Sequence, residues 1–196
     1  MGEIGWRITC AAIIVIFRVV RRRYRARWRS THADAAVRRI DTKEKVLLGL
    51  TTLIGMGLCL LWLVTPWLDR AALGLPAAAR VAGAVISAGG ILLLAWVHRT
   101  LGDNWSPSLE VRRGHELVDR GPYALVRHPM YTAIGAVILG YGLTSSNAIV
   151  LFVSPIPFFT LVAVRMVTEE RLLLEQFGET YRAYMRRTKR LVPFVV

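Results

Sequence analysis

The chain has 196 residues, 54% of them hydrophobic, yet 26 Lys and Arg face 13 Asp and Glu, a net charge of +13. So much apolar surface excludes a disordered chain, and charge on so apolar a background argues against an ordinary soluble nucleic-acid-binding domain. The combination fits an integral membrane protein with its basic residues segregated to one side, and the length allows one domain, residues 1–196.

The first apolar run, Ile8 to Phe17, lies between Arg7 and Arg18. Both arginines can snorkel to lipid headgroups, so a span from about Ile4 to Val20 is expected, with an interfacial helix as the alternative. The basic cluster follows this run instead of preceding it, which is not the order of a signal peptide. That cluster, Arg21 to Arg29, reads as a stop-transfer signal on anionic lipid, with no nucleic acid needed as partner. Val46 to Leu68 gives 23 uncharged residues and Val81 to Val97 gives 17; a helix needs about 20 to cross the hydrocarbon core. Gly83 and Ser87, four apart, suit close helix contact. Thr132 to Val164 is uncharged for 33 residues, divided by Thr144-Ser145-Ser146-Asn147. It reads as a helical hairpin with arms of about 12 and 17 residues, the second kinked by Pro155 and Pro157.

The expected fold is therefore all-α and polytopic, with about five transmembrane helices, a C-terminal hairpin, a cytoplasmic loop and a C-terminal helix. Residues 1–97 hold the first three spans and 98–196 the polar motifs and the hairpin. Segments 21–45, 98–131 and 166–196 carry 21 Lys and Arg, against three (Arg7, Arg70 and Arg80) between the alternate span ends. The positive-inside rule puts the N-terminus outside and the C-terminus in the cytoplasm. Cys10 and Cys59 lie in apolar runs and read as core. His32, His98, His115 and His128 lack metal-ligand spacing, so no metal is expected.

Polar chemistry is confined to the segments 98–131 and 165–196. Pro129 fits the first turn of a helix and pushes His128 into an extended conformation. Arg127 and His128 would then stand at a helix N-terminus on the membrane face, suited to a ligand carboxylate or phosphate. Arg165 and Glu169 are four apart and share a helix face, either as a simple ion pair or as part of a site. Leu172, Leu173, Phe177, Tyr181 and Tyr184 follow at helical spacing, with Gly178 interrupting; this tail is expected against the bilayer or the cytoplasmic loops.

The ordered motifs His115-Glu116-Leu117-Val118, Gly121-Pro122-Tyr123, Arg127-His128-Pro129-Met130-Tyr131, Glu169-Glu170 and Phe177-Gly178-Glu179-Thr180-Tyr181 resemble the isoprenylcysteine carboxyl methyltransferase family, as does Arg190 to Phe194. The likeness covers roughly residues 98–196. It implies an integral-membrane methyltransferase that uses S-adenosyl-L-methionine and acts on a lipophilic small molecule or lipid. Its cofactor-binding residues would be His115, Glu116, Leu117, Val118, Tyr123, His128, Pro129, Met130, Tyr131 and Glu169. Arg165 matches the arginine on the lipid substrate's side, giving Arg165, His128 and Glu169 as the catalytic set. The residue chemistry agrees: Arg127 and His128 can address the cofactor's carboxylate, and Leu117, Val118 and Tyr123 can sandwich its adenine. A carboxylate acceptor needs no base, whereas an amine or thiol would use His128 or Glu169. The chain departs from the family at Ala133, often Gly, and at Ser108, shorter than the usual amide. Its small size resembles the prokaryotic members, implying a bacterial inner membrane and an acid, amine, thiol or lipid headgroup as acceptor. Two other readings are an NADPH-dependent enzyme akin to sterol reductases and a non-enzymatic lipid-binding protein. Met130 and Thr132-Ala133 replace the Asn and acidic residue usual in the reductase motif.

Overall fold

The computed structural model describes residues 2–31, 42–102 and 117–193, and these are mostly helical with no strand among them. Helix α1 spans Glu3–Thr31, 29 residues or about 43 Å. The helix therefore runs on through the basic cluster, well past the expected span end at Val20. Trp6, Cys10 and Ile13 are buried while Val15, Ile16 and Val19 are exposed, the face pattern of a helix packed on one side only.

Helix α2 (Thr42–Leu50), a π-helical stretch (Thr51–Met56) and α3 (Gly57–Val64) are contiguous. The helix stops at Val64, short of the expected Leu68, because Pro66 forces Thr65 into extended backbone (φ −133°, ψ 158°). Only 6% of the apolar Lys45–Val64 window is buried, so this surface is left to lipid.

Helix α4 (Ala77–Leu101) packs antiparallel against α5 (Pro129–Ser145). Small residues make the seam. A Cβ on Gly83 would meet Gly140 O at 2.6 Å, and one on Gly90 would meet Ala133 O at 2.8 Å. Between them Ser87 Oγ donates to Val137 O at 3.2 Å. The spacing of Gly83 and Ser87 thus marks a true backbone-to-backbone contact.

The hairpin turns at Ser146, the left-handed residue (φ 54°, ψ 34°) that ends α5. Its second arm differs from the expected kinked helix. A π-helical stretch, Ile149–Val153, gives way to a turn at Ser154 and Pro155, and a new helix α6 runs over Ile156–Arg187. Pro155 caps α6 and Pro157 lies in its first turn, where the missing N–H removes no helical hydrogen bond. At Gly178 the backbone turns left-handed (φ 50°) and bends α6. The core is shared by four helices: Cys10 and Ile13 from α1, Trp62 from α3, Ile91 from α4, and Val137 and Tyr141 from α5.

Two arginines knot the end of the molecule near the hairpin turn. Arg80, 7% exposed, binds Glu3 with two nitrogens (2.8 and 3.1 Å), donates to Thr144 O and Ser145 O, and stacks on Trp6. Arg7 pairs with Asp69 and donates to Trp62 O at 2.6 Å and Thr65 O at 3.1 Å. A guanidinium so fully bonded tolerates burial, and removing one partner would strand it. Three described segments, Lys45–Val64, Ala77–Leu101 and Ile149–Arg187, are long and apolar enough to cross a membrane by length and composition. Helix α5, at 17 residues, and the arginine-interrupted α1 pack among them.

Candidate active site

The site is assembled at the opposite end, where α5 begins. Gly121 is left-handed (φ 59°) and starts a 3-10 turn, Gly121–Ala124, that carries Tyr123. His128 has the non-helical backbone (φ −123°, ψ 55°) of an N-cap, with Pro129 in the first turn. The segment after α6 straps this loop down. Arg127 N donates to Lys189 O at 2.7 Å, His128 N to Arg190 O at 2.9 Å, and Thr132 Oγ1 to Leu191 O at 2.6 Å.

Two adjacent glutamates of α6 organise the side chains. Glu170, 5% exposed, accepts from Arg127 Nε at 3.0 Å and from Arg190 Nη2 at 2.8 Å, and stands 3.4 Å from His128 Nε2. Glu169 takes the hydroxyl of Tyr131 and stands 3.3 Å from His128 Nδ1 and 3.6 Å from Arg165 Nε. Its side chain is 22% exposed and faces a cavity. His128 is thus held between two carboxylates. Burial alone would push its pKa down, but the hydrogen bonds and charges of Glu169 and Glu170 outweigh burial and raise it.

The cavity has a volume of about 980 Å³, at the upper end for small-molecule sites. It follows α5 from Tyr131 to Tyr141, about 15 Å of helix. Its polar end is lined by His128, Tyr131, Arg165 and Glu169, with Leu117, Val118, Tyr123 and Met130 beside them. Beyond lie Ile13, Phe17, Ile134, Ile138, Phe158 and Leu161. Such a space can receive a polar group at one end and a long apolar group along the helices.

Most residues singled out from the sequence converge here, but not all in the expected way. Arg127 was assigned to a ligand carboxylate. Its guanidinium is instead committed to Glu170, Met185 O and Thr188 O, with 8% of the side chain exposed. Arg127 therefore fixes the floor of the site. Pro129 is buried in the first turn of α5 and is not among the lining residues. His115 and Glu116 lie outside the described residues. Residue reasoning missed Glu170 as the hub, and Arg190 and Tyr184 as its surroundings. Tyr184 OH donates to Tyr123 O at 2.6 Å, holding α6 beyond Gly178 on the 3-10 turn. The doubled acid Glu169-Glu170 was the one available signal. Among the described residues, no group of three or more His, Cys, Asp or Glu is placed to hold a metal ion.

Fold and site together define a polytopic helical membrane protein with a polar pocket opening into an apolar channel. Residues 82–175, just under half of the chain, match the isoprenylcysteine carboxyl methyltransferase (ICMT) family. Over 98 residues it is 31% identical to protein-S-isoprenylcysteine O-methyltransferase B of Arabidopsis thaliana, covering 49% of this chain and 50% of that protein. Over 95 residues it is 34% identical to the cobalt-zinc-cadmium resistance protein CzcN of Cupriavidus metallidurans, covering 48% of this chain and 44% of that protein. The chain thus spans about half the length of the curated relatives it matches. The fold resembles the structure of the eukaryotic intramembrane Ras methyltransferase ICMT, with a TM-score of 0.56 at 20% identity over 80% of this chain and 55% of that one.

Proposed function

We propose that the chain is a methyltransferase that moves a methyl group from S-adenosylmethionine to a lipophilic acceptor at the cytoplasmic face of a bacterial inner membrane. One observation carries this reading: Glu169, with Arg165, Tyr131 and His128 around it, stands where a polar pocket meets an apolar channel. When bound, the cofactor supplies an electrophilic methyl group on a sulfonium.

The residues present fit that group. Leu117, Val118 and Tyr123 offer apolar and aromatic surface for an adenine, and the His128–Glu169 pair offers both donor and acceptor for its polar end. His115 and Glu116 are assigned to the same pocket by family likeness alone. The chain's own task is to hold acceptor and methyl in a near-attack arrangement and to exclude water. Arg165 is assigned to the acceptor's side and Glu169 to the junction between acceptor and cofactor. His128, between two carboxylates, carries a proton readily. Its contact with Glu169 can hold that carboxylate in place, and an amine or thiol acceptor would use His128 or Glu169 as base.

The test is calorimetric titration of the purified full chain with S-adenosylhomocysteine. Glu169→Ala and His128→Ala should each weaken binding about tenfold, about 1.4 kcal/mol. No binding by the wild type at millimolar ligand overturns the methyl-transfer reading. Unchanged affinity in both variants overturns the site assignment.

A further inference from the structure

We infer that Arg21, on the N-terminal helix α1, binds an anionic head group of the methyl acceptor; the inference rests on the methyl-transfer reading above. Arg21 lines the cavity together with Tyr131, Arg165 and Glu169. Its Nη1 lies 3.8 Å from Met130 Sδ, and a thioether is a weak acceptor. Arg25 and Arg165 lie within electrostatic reach and repel it. Glu169, which could neutralise it, is already shared by Arg165, His128 and Tyr131.

Charge balance points to the occupant. Among the described lining residues, six are arginines (Arg18, Arg21, Arg22, Arg25, Arg127 and Arg165) and one, Glu169, is a carboxylate. Arg127 is neutralised by Glu170 from behind. A partly buried guanidinium without a counter-charge is costly. S-adenosylmethionine deepens the surplus, because its sulfonium and ammonium outnumber its one carboxylate. An acceptor with an anionic head would offset the positive surplus among the described lining residues. An apolar chain lies along Ile134, Ile138 and Phe158, and its anionic head reaches Arg21. A simple long-chain amine or alcohol lacks that head and is disfavoured. Arg21 lies outside residues 82–175 that match the family, so this contact is a property of the chain's own first helix.

The experiment compares two single-chain probes of equal length, tritiated palmitate and tritiated hexadecanol. Binding to the full chain in neutral detergent is read by scintillation proximity at about pH 8, where the carboxylate is ionised. Wild type should favour palmitate, and Arg21→Gln should lower palmitate affinity about tenfold while leaving hexadecanol within about twofold. Arg21→Lys should keep most of the preference. Arg23→Gln, an exposed neighbour that does not line the cavity, should behave as wild type. An unchanged palmitate affinity in Arg21→Gln, or an equal loss in Arg23→Gln, overturns the inference. S-adenosylhomocysteine binding should survive Arg21→Gln. Its failure in the wild type would overturn the methyl-transfer reading alone, since the probe pair still reports the anion site directly.

Discussion

Glu169 and Glu170 are neighbours in the chain but point about 100° apart around α6, and that rotation divides their roles. Glu170 turns inward to Arg127, Arg190 and His128, while Glu169 turns to the cavity with Tyr131 and Arg165. His128 joins the two, and its raised pKa makes the joint sensitive to pH. A histidine whose folded pKa lies above its unfolded value stabilises most below the unfolded value, about 6.5, and the gain is lost as pH rises through the folded value. The difference in Tm between wild type and His128→Gln should thus be largest near about pH 6 and shrink toward about pH 9. A difference that grows with pH would show that His128 is held neutral. At this scale the sequence was half legible. Arg127, His128, Arg165 and Glu169 stand out by type and spacing, but the pairing of Arg127 with Glu170 joins residues 43 apart, and no local spacing encodes it. Arg21 was hidden for the opposite reason: it belongs to a basic run that lipid alone explains.

Prolines and glycines mark the helix boundaries, and their meaning depends on position. Pro129 opens α5 and Gly178 bends α6, both readable from the sequence. Pro155 and Pro157 sit inside a long uncharged stretch, which invites the reading of one kinked helix, yet they start a new one. The two π-helical stretches, Thr51–Met56 and Ile149–Val153, left no trace in hydrophobic pattern, since a shift in hydrogen-bond register changes no residue type. The α4–α5 seam gives the sharpest test of an element. Gly83→Ala would place a methyl 2.6 Å from Gly140 O and 2.7 Å from Leu143 Cβ, and overpacking of this kind costs about 1–3 kcal/mol. Gly89→Ala, on the same helix with nothing within 4 Å of the added carbon, should be neutral or slightly stabilising. Thermal melting in detergent of the two variants should separate them; equal effects would deny the seam its tight contact.

Over the whole molecule, the polar ends have different characters. One end is a knot of satisfied ion pairs, Arg80 with Glu3 and Arg7 with Asp69. The other holds the pocket, whose described lining includes six arginines. The positive-inside rule expects the basic segments on the cytoplasmic side. The number of spans was less legible: the sequence suggests about five, whereas three described segments are long and apolar enough to cross a membrane by length and composition. The inferred orientation predicts that Leu73→Cys, in the exposed outer loop, reacts with a membrane-impermeant maleimide on intact cells. Arg120→Cys, beside the pocket, should react only after lysis. Labelling in the reverse order would invert the topology.

The glycine seam also divides the molecule by stiffness. Where α4 and α5 meet backbone to backbone, neither can slide without a clash, and His128 is fixed to the end of that beam. The other cavity walls are α1, the continuous stretch from α2 through α3, and α6, which bends at Gly178. Admission of a long acceptor must be accommodated by those walls. Amide exchange should accordingly be slowest in Ser87–Leu94 and Ala133–Tyr141, and faster in the π-helical stretches that flank the channel. Uniform protection across the helices would mean that the channel opens by some motion other than yielding of these walls.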